Sequence, residues 1–361
     1  MLSMYITCII LFFLLFTLSR NKLIIFKAEN LRYGIHCALF FCFILLYIIH
    51  GFRYLNYIGS DEYYYRMIPQ HARDFLSSEL INESLRSLSL NLSNWVFFRN
   101  GQFYVLATSI IWLMIMLKCM KDYSVDVQLS LFILISGDFL ASMNIIRQSV
   151  AAAIVFYAYR YLIKSDTWKY VLIILVFACG FHSTSLIMIP MYFLLRQKNF
   201  INGIFLFAIP IIIFSSNFVN IGYYFLSDTH YVNYFTTYSV KGANNIRVTF
   251  YVIPAIITLL LSKKLNMNYI NRNIIFVYII VCLLSLKNLY FMRFNAFITP
   301  VVICEYAKIP YCFHGKNRQY VKYGMYLCFF ICGIVHYIMP PERYHNVLFE
   351  SIKGSMEYHK M

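Results

Sequence analysis

Long apolar runs that never alternate with polar residues constrain this chain more than any other feature. CIILFFLLFTL (Cys8 to Leu18), CALFFCFILLYII (Cys37 to Ile49), VLIILVFACG (Val171 to Gly180) and IIFVYIIVCLL (Ile274 to Leu284) carry no charge. At about 1.5 Å of rise per residue, such runs with their flanks cover a hydrocarbon core ~30 Å thick as tilted helices. Strands of a membrane barrel would alternate between lipid and lumen, and these runs do not. Of 361 residues, 61% are hydrophobic and 13% charged, against about 25% charged in an ordinary soluble domain. The pattern predicts an all-α, polytopic integral membrane protein.

The formal net charge is +16, which in a soluble chain would suggest nucleic acid. Here Lys and Arg fall largely in short connections, where they orient membrane helices, so no nucleic-acid partner is expected. The first apolar run has nothing basic before it and no small-residue cleavage pattern before Arg20 and Lys22, and it reads as a retained helix. The ten cysteines are scattered without CxxC or a zinc-like His/Cys spacing, so neither metal nor cofactor is expected. Cys328 and Cys332, four apart, read as small apolar packing.

Charge counting gives a topology. Segment 20–33, with Arg20, Lys22, Lys27 and Arg32 against Glu29, is placed in the cytoplasm. Spans follow over about 34–52, 103–120 and 127–143, then a helix from Asn144 that ends among Arg160, Lys164 and Lys169. Further spans are placed at 201–223, 247–262, 274–290, 294–309 and 323–339. The run 170–195 is long enough for one span, but Arg196 and Lys198 put both its ends on the basic side. That favours a hairpin turning at GFHSTS, with Gly180 breaking the helix and Ser183 capping the next. The sum is about 10–12 transmembrane helices in one transmembrane domain, 1–361. Two extracytoplasmic loops are expected, 53–102 and 227–246.

The polar exceptions are the candidate site. A cationic side chain at mid-bilayer costs at least ~2.5–3.5 kcal/mol, so Arg147 either snorkels to an interface or lines a polar cavity. Asn144, Arg147, Gln148 and Ala151 fall at i, i+3, i+4 and i+7 of a helix, one face beside the small residues Ala151 to Ala153. His182, between Gly180 and Ser183-Thr184-Ser185, reads either as a histidine bonded to a neighbouring carbonyl or as part of a polar turn. In the first loop GSDEYYYR sets Asp61 and Glu62 beside Tyr63, Tyr64 and Tyr65. Rings can cover the apolar face of a sugar while an acid takes its hydroxyl proton, although an interfacial aromatic belt gives the same composition. The second loop offers Tyr231, Tyr234, Tyr238 and Lys241, and SLKNLYFMRF offers Lys287 and Arg293. Separated arginines suit a pyrophosphate, because each guanidinium fork binds phosphate oxygens in pairs. Asp138, inside LISGDFLASMN, reads as a structural pair for a cation or as a neutral acid.

GSDEYYYR from Gly59, NIIRQSVAAAIVFYAYRYL from Asn144, FACGFHSTSLIMIPMYFLL from Phe177 and the late arginine of LYFMRFNAFITP together resemble the EpsG-like members of the bacterial Wzy-type polysaccharide polymerases. The similarity runs in order and spacing through most of the chain. Asn-x-x-Arg-Gln followed by Phe-His-x-(Ser/Thr) is its most specific part. It implies an enzyme of the bacterial plasma (inner) membrane that joins oligosaccharide repeat units carried on undecaprenyl pyrophosphate. It implies no metal and no nucleotide sugar. Arg147 and Arg293 would hold the donor pyrophosphate and stabilise it as it leaves, and His182 or Asp61 would orient or deprotonate the acceptor hydroxyl, with His182 preferred as the base. Asp61 would contact sugar, with Asn144, Gln148, Tyr64, Tyr65, Lys287, Tyr234 and Lys241 around the substrate. A chain-length regulator and a flippase of the same pathway are the implied partners beside the bilayer. No acid stands beside Arg147 or His182 in sequence to orient the imidazole. Rival readings are a lipid-linked oligosaccharide flippase, an O-antigen ligase-like transferase and a membrane acyltransferase. The sugars and the linkage are encoded by no local motif.

Overall fold

The computed structural model describes residues 2–20, 31–52, 101–198, 243, 245–286 and 290–338. Among them every regular element is helical and none is a strand. The order is α1 (Leu2–Arg20), α2 (Leu31–Gly51), α3 (Gly101–Tyr123), α4 (Val127–Ser136), α5 (Asp138–Asn144) and α6 (Ile146–Lys164). A hairpin follows: α7 (Thr167–Leu172), a π turn (Ile173–Ala178) and a closing helical turn (Cys179–Phe181), then a 3-10 turn (Ser183–Ile187) and α8 (Met188–Leu195). The last group is α9 (Asn245–Leu260), α10 (Tyr269–Ser285), α11 (Tyr290–Asn295), α12 (Thr299–Tyr306) and α13 (Gly315–Ile338), with a 3-10 turn at Ile309–Cys312 between the last two. The structure is all-α. Among the described residues one helix, Tyr104–Tyr123, is by itself long and apolar enough to cross a bilayer, and α4 with α5 makes a second candidate as a bent pair. The span expected at 201–223 lies outside the described residues, as do the loop 227–246 and all of 53–102 but the start of α3.

Chemistry at the chain breaks explains several ends. Asp126 caps α4 by accepting from the Leu129 N–H at 3.1 Å, and its other oxygen takes the Lys322 ammonium of α13. Asn268 caps α10 through the Asn271 N–H at 2.7 Å. α1 lies against α2, α4 and α13. The Tyr5 hydroxyl meets Ser136 Oγ at 3.0 Å and donates to the Phe330 carbonyl at 3.3 Å, joining α1, α4 and α13. Gly333 is what lets the Tyr5 ring approach: a Cβ there would run into that ring and its hydroxyl. Gly333→Ala should therefore destabilise the protein by about 1–3 kcal/mol, the usual cost of overpacking. A lowered melting midpoint in detergent would show it, and an unchanged midpoint would mean that Tyr5 has room to move.

The span placed at 127–143 is bent: Gly137 separates α4 from α5 and the two meet at 53°. One expectation changes here. The face expected from Asn144 to Ala151 is interrupted. Ile145 leaves helical geometry (φ −101°, ψ 50°), so Asn144 ends α5 while Arg147, Gln148 and Ala151 belong to α6. Two successive β-branched residues, Ile145 and Ile146, occupy the junction, where their stiff χ1 angles crowd a helical turn.

The run 165–196 folds back on itself. A straight helix would hold Ser165 and Arg196 roughly 45 Å apart, yet Arg196 Nη2 donates to Ser165 Oγ at 2.5 Å. The Thr167 and Tyr192 hydroxyls meet at 2.7 Å, and the Tyr170 and Tyr192 rings lie 4.9 Å apart. The turn is not where the glycine stands. Gly180 remains helical and His182 takes the extended conformation (φ −153°, ψ 113°) that ends one arm. Ser183 does not cap the next arm. It is the first residue of the 3-10 turn, which begins at His182 without a side-chain cap.

Candidate functional site

Three segments far apart in sequence bring the cations together. Arg147 stands in the first turn of α6, whose leading amides have no partner within the helix and no side-chain cap at Ile145. The partial positive charge of that helix start adds to the guanidinium. His182 is the hinge of the hairpin and is partly buried. Arg293 lies in the short helix α11 with its side chain exposed. The charges of Arg147 and Arg293 both bear on the His182 imidazole. Gln148, next to Arg147, donates its amide N–H to the main-chain carbonyl of Arg293, so α6 and α11 are joined directly.

Among the described residues the imidazole is oriented by its own turn. Thr184 Oγ1 and His182 Nδ1 lie 2.7 Å apart, and the Ser185 N–H closes the turn onto the His182 carbonyl at 3.0 Å. When Nδ1 carries the proton it donates to Thr184, and Nε2 is left with a lone pair able to take a proton from a hydroxyl. The His-x-Thr spacing was on view in GFHSTS, and a 3-10 turn is the geometry that makes it a bond.

Of the residues singled out from sequence, the structure thus gathers Arg147, Gln148, His182 and Arg293, with Asn144 at the neighbouring end of α5. Asp61, Tyr64, Tyr65, Tyr234, Lys241 and Lys287 lie outside the described residues. Gln148 is 3% exposed, with its amide nitrogen donated to the Arg293 carbonyl. Asp138 sits among tyrosines and a cysteine, within electrostatic range of Tyr278, Tyr306 and Cys282. Among the described residues no cluster of three His, Cys, Asp or Glu could hold a metal ion.

Two buried polar hubs escaped the sequence. His50, 1% exposed, has Nδ1 2.7 Å from Ser109 Oγ and Nε2 3.0 Å from Ser142 Oγ, and stacks on Trp112 at 4.9 Å, which knits α2, α3 and α5 together. Glu305, 2% exposed, accepts from Asn271 Nδ2 at 2.6 Å and from Lys308 Nζ at 2.5 Å. The partners are 59, 92 and 34 residues away in three of these four hydrogen bonds, so no local pattern points to them.

Comparison with curated proteins and with solved structures finds no match. The profile of the EpsG family matches residues 36–348, a stretch that includes α6, the hairpin and α11 and so the whole cationic cluster. The chain belongs to the EpsG family, whose membrane-associated proteins serve polysaccharide biosynthesis.

Proposed function

We propose that this protein is a polytopic polymerase of the bacterial plasma membrane that extends a polysaccharide from repeat units carried on undecaprenyl pyrophosphate at the outer face. The observation that carries the reading is the convergence of Arg147, Arg293 and His182 from α6, α11 and the hairpin hinge. A pyrophosphate between two guanidinium forks, next to a helix start, is compensated as its charge grows during departure. The imidazole beside them is the one group of this cluster able to accept a proton.

The step balances without metal or redox partner. An acceptor sugar hydroxyl attacks the anomeric carbon of the donor glycan, and the bond from that carbon to the pyrophosphate oxygen breaks. The hydroxyl proton passes to His182 Nε2, and undecaprenyl pyrophosphate departs with the electron pair on its oxygen. Thr184 holds the ring while the proton is accepted. In this reading Asp61, Tyr64, Tyr65, Tyr234 and Lys241 contact the sugars from the two outer loops, and Lys287 adds charge near Arg293. A hydrocarbon tail is accommodated by the apolar helices around the site.

Deleting the gene tests this on a gel of surface polysaccharide. Loss of the long ladder with single-repeat material retained is the expected result. Loss of even the single-repeat band would mean that translocation of the lipid-linked unit has failed, and a flippase would replace the polymerase.

A further inference from the structure

Gln148 stands between the two arginines in a manner that the sequence alone does not suggest. Its side chain is buried, at 3% exposed, and reaches across to the carbonyl of Arg293, 145 positions away. α11 has six residues, well short of the ~12–15 at which a helix begins to hold itself in water, so its placement comes from tertiary bonds. α11 packs along α10, and Asn295 Nδ2 donates to Cys282 Sγ of that helix at 3.0 Å. Within the turn the Ala296 N–H bonds the same Arg293 carbonyl at 3.3 Å. The Gln148 bond is the one that ties the main chain of Arg293 to the helix that bears Arg147. It acts at the residue itself, so it fixes where the Arg293 side chain starts.

We infer that Gln148 is a positioning residue whose amide sets the spacing of the Arg147 and Arg293 guanidiniums, and so makes the site selective for a diphosphate over a monophosphate. This rests on the reading of the arginine pair as the pyrophosphate site. A diphosphate offers two anionic groups to two forks held at a fixed separation, whereas a monophosphate satisfies one fork at a time. If the α11 end is released, the second fork no longer arrives in register, and the advantage of the second phosphate falls. The preorganisation that Gln148 provides is therefore worth affinity for one ligand and little for the other.

Binding decides this without turnover. The full-length protein in lipid nanodiscs is titrated with farnesyl diphosphate and with farnesyl monophosphate. Wild type should prefer the diphosphate by tenfold or more. Gln148→Met, of similar length but without the donor, should lose that preference while keeping the affinity for the monophosphate within about threefold. Gln148→Asn, which keeps the amide but is shorter by one methylene, should lose it too, and it serves where the methionine variant does not fold. Adding Gln148→Met to Arg293→Ala should cost nothing further, since the bond acts through Arg293. Retained preference in both Gln148 variants, or losses that multiply in the double variant, would overturn the positioning role while leaving the pyrophosphate site intact. A wild type that does not distinguish the two ligands would overturn the pyrophosphate reading and this inference with it.

Discussion

Replacing Arg147 by lysine is expected to abolish chain extension while the protein stays at its normal level in the membrane. Lysine keeps the positive charge but presents a single ammonium, whereas guanidinium offers a planar fork to two phosphate oxygens at once. The rest of the site sharpens the demand. Arg147 sits in the first turn of α6, where its position relative to the helix start is fixed, and Arg293 is held to the same helix through Gln148. A fork that fits cannot be replaced there by a flexible chain that finds its own place. Loss of one preorganised donor to a developing anion typically costs about 10²–10³ in rate, enough to reduce a polysaccharide ladder to its first bands. Arg293→Lys should give the same phenotype, and the two losses should not multiply if both forks grip one pyrophosphate. Immunoblotting for protein level beside the polysaccharide gel separates this from a folding defect. A full ladder from Arg147→Ala would remove the pyrophosphate role altogether.

The second large effect concerns stability. Glu305→Ala should lower stability by about 3–5 kcal/mol, the range for breaking a buried ion pair from one side. Glu305 Oε1 takes hydrogen bonds from Lys308 Nζ of the same turn and from Asn271 Nδ2 of α10, and Asn271 Oδ1 accepts from the Tyr159 hydroxyl of α6 at 2.5 Å. Removal of the carboxylate therefore leaves the buried Asn271 amide without its acceptor and the partly buried Lys308 without its counter-charge. It also loosens the register of α6, the helix that positions Arg147. Glu305→Gln should fall between, since it keeps an acceptor of the same shape but not the charge. Pairing Glu305→Leu with Lys308→Met should recover much of the loss, because an apolar pair leaves fewer groups unsatisfied. Thermal melting followed by fluorescence-detected gel filtration reads all three. Wild-type melting of Glu305→Ala would show that the hub contributes nothing to the fold.

The legible and the illegible parts of the site divide by distance along the chain. Arg147 and His182 stood out because each is a local exception in an apolar run. The hairpin at 165–196 could be read because Lys164 and Lys169 stand at one end of the run and Arg196 and Lys198 at the other, a pattern that one crossing does not produce. Its hinge was misplaced by two residues, on Gly180, since glycine allows a break but does not compel one, and the extended backbone of His182 is fixed by the turn that follows it. Gln148 was read as a substrate contact for the same reason that Arg147 was: both are polar on one helix. Its burial and its bond to a carbonyl 145 residues away leave no trace in the neighbouring sequence.

Apolar continuity by itself determined that the chain is helical, and the polar exceptions determined which residues to examine, since both are written in neighbours within a turn or two. Tertiary structure alone decided that α6 starts afresh after Ile145, that the hairpin brings His182 within range of the charges of Arg147 and Arg293, and that Gln148 is joined to a main-chain carbonyl. The physical reason is one of range. Helix geometry acts between residues a few positions apart, so the burial of a helix face leaves a periodic trace. A hydrogen bond between α6 and α11 depends on the path of all the chain between them, and no local pattern records it.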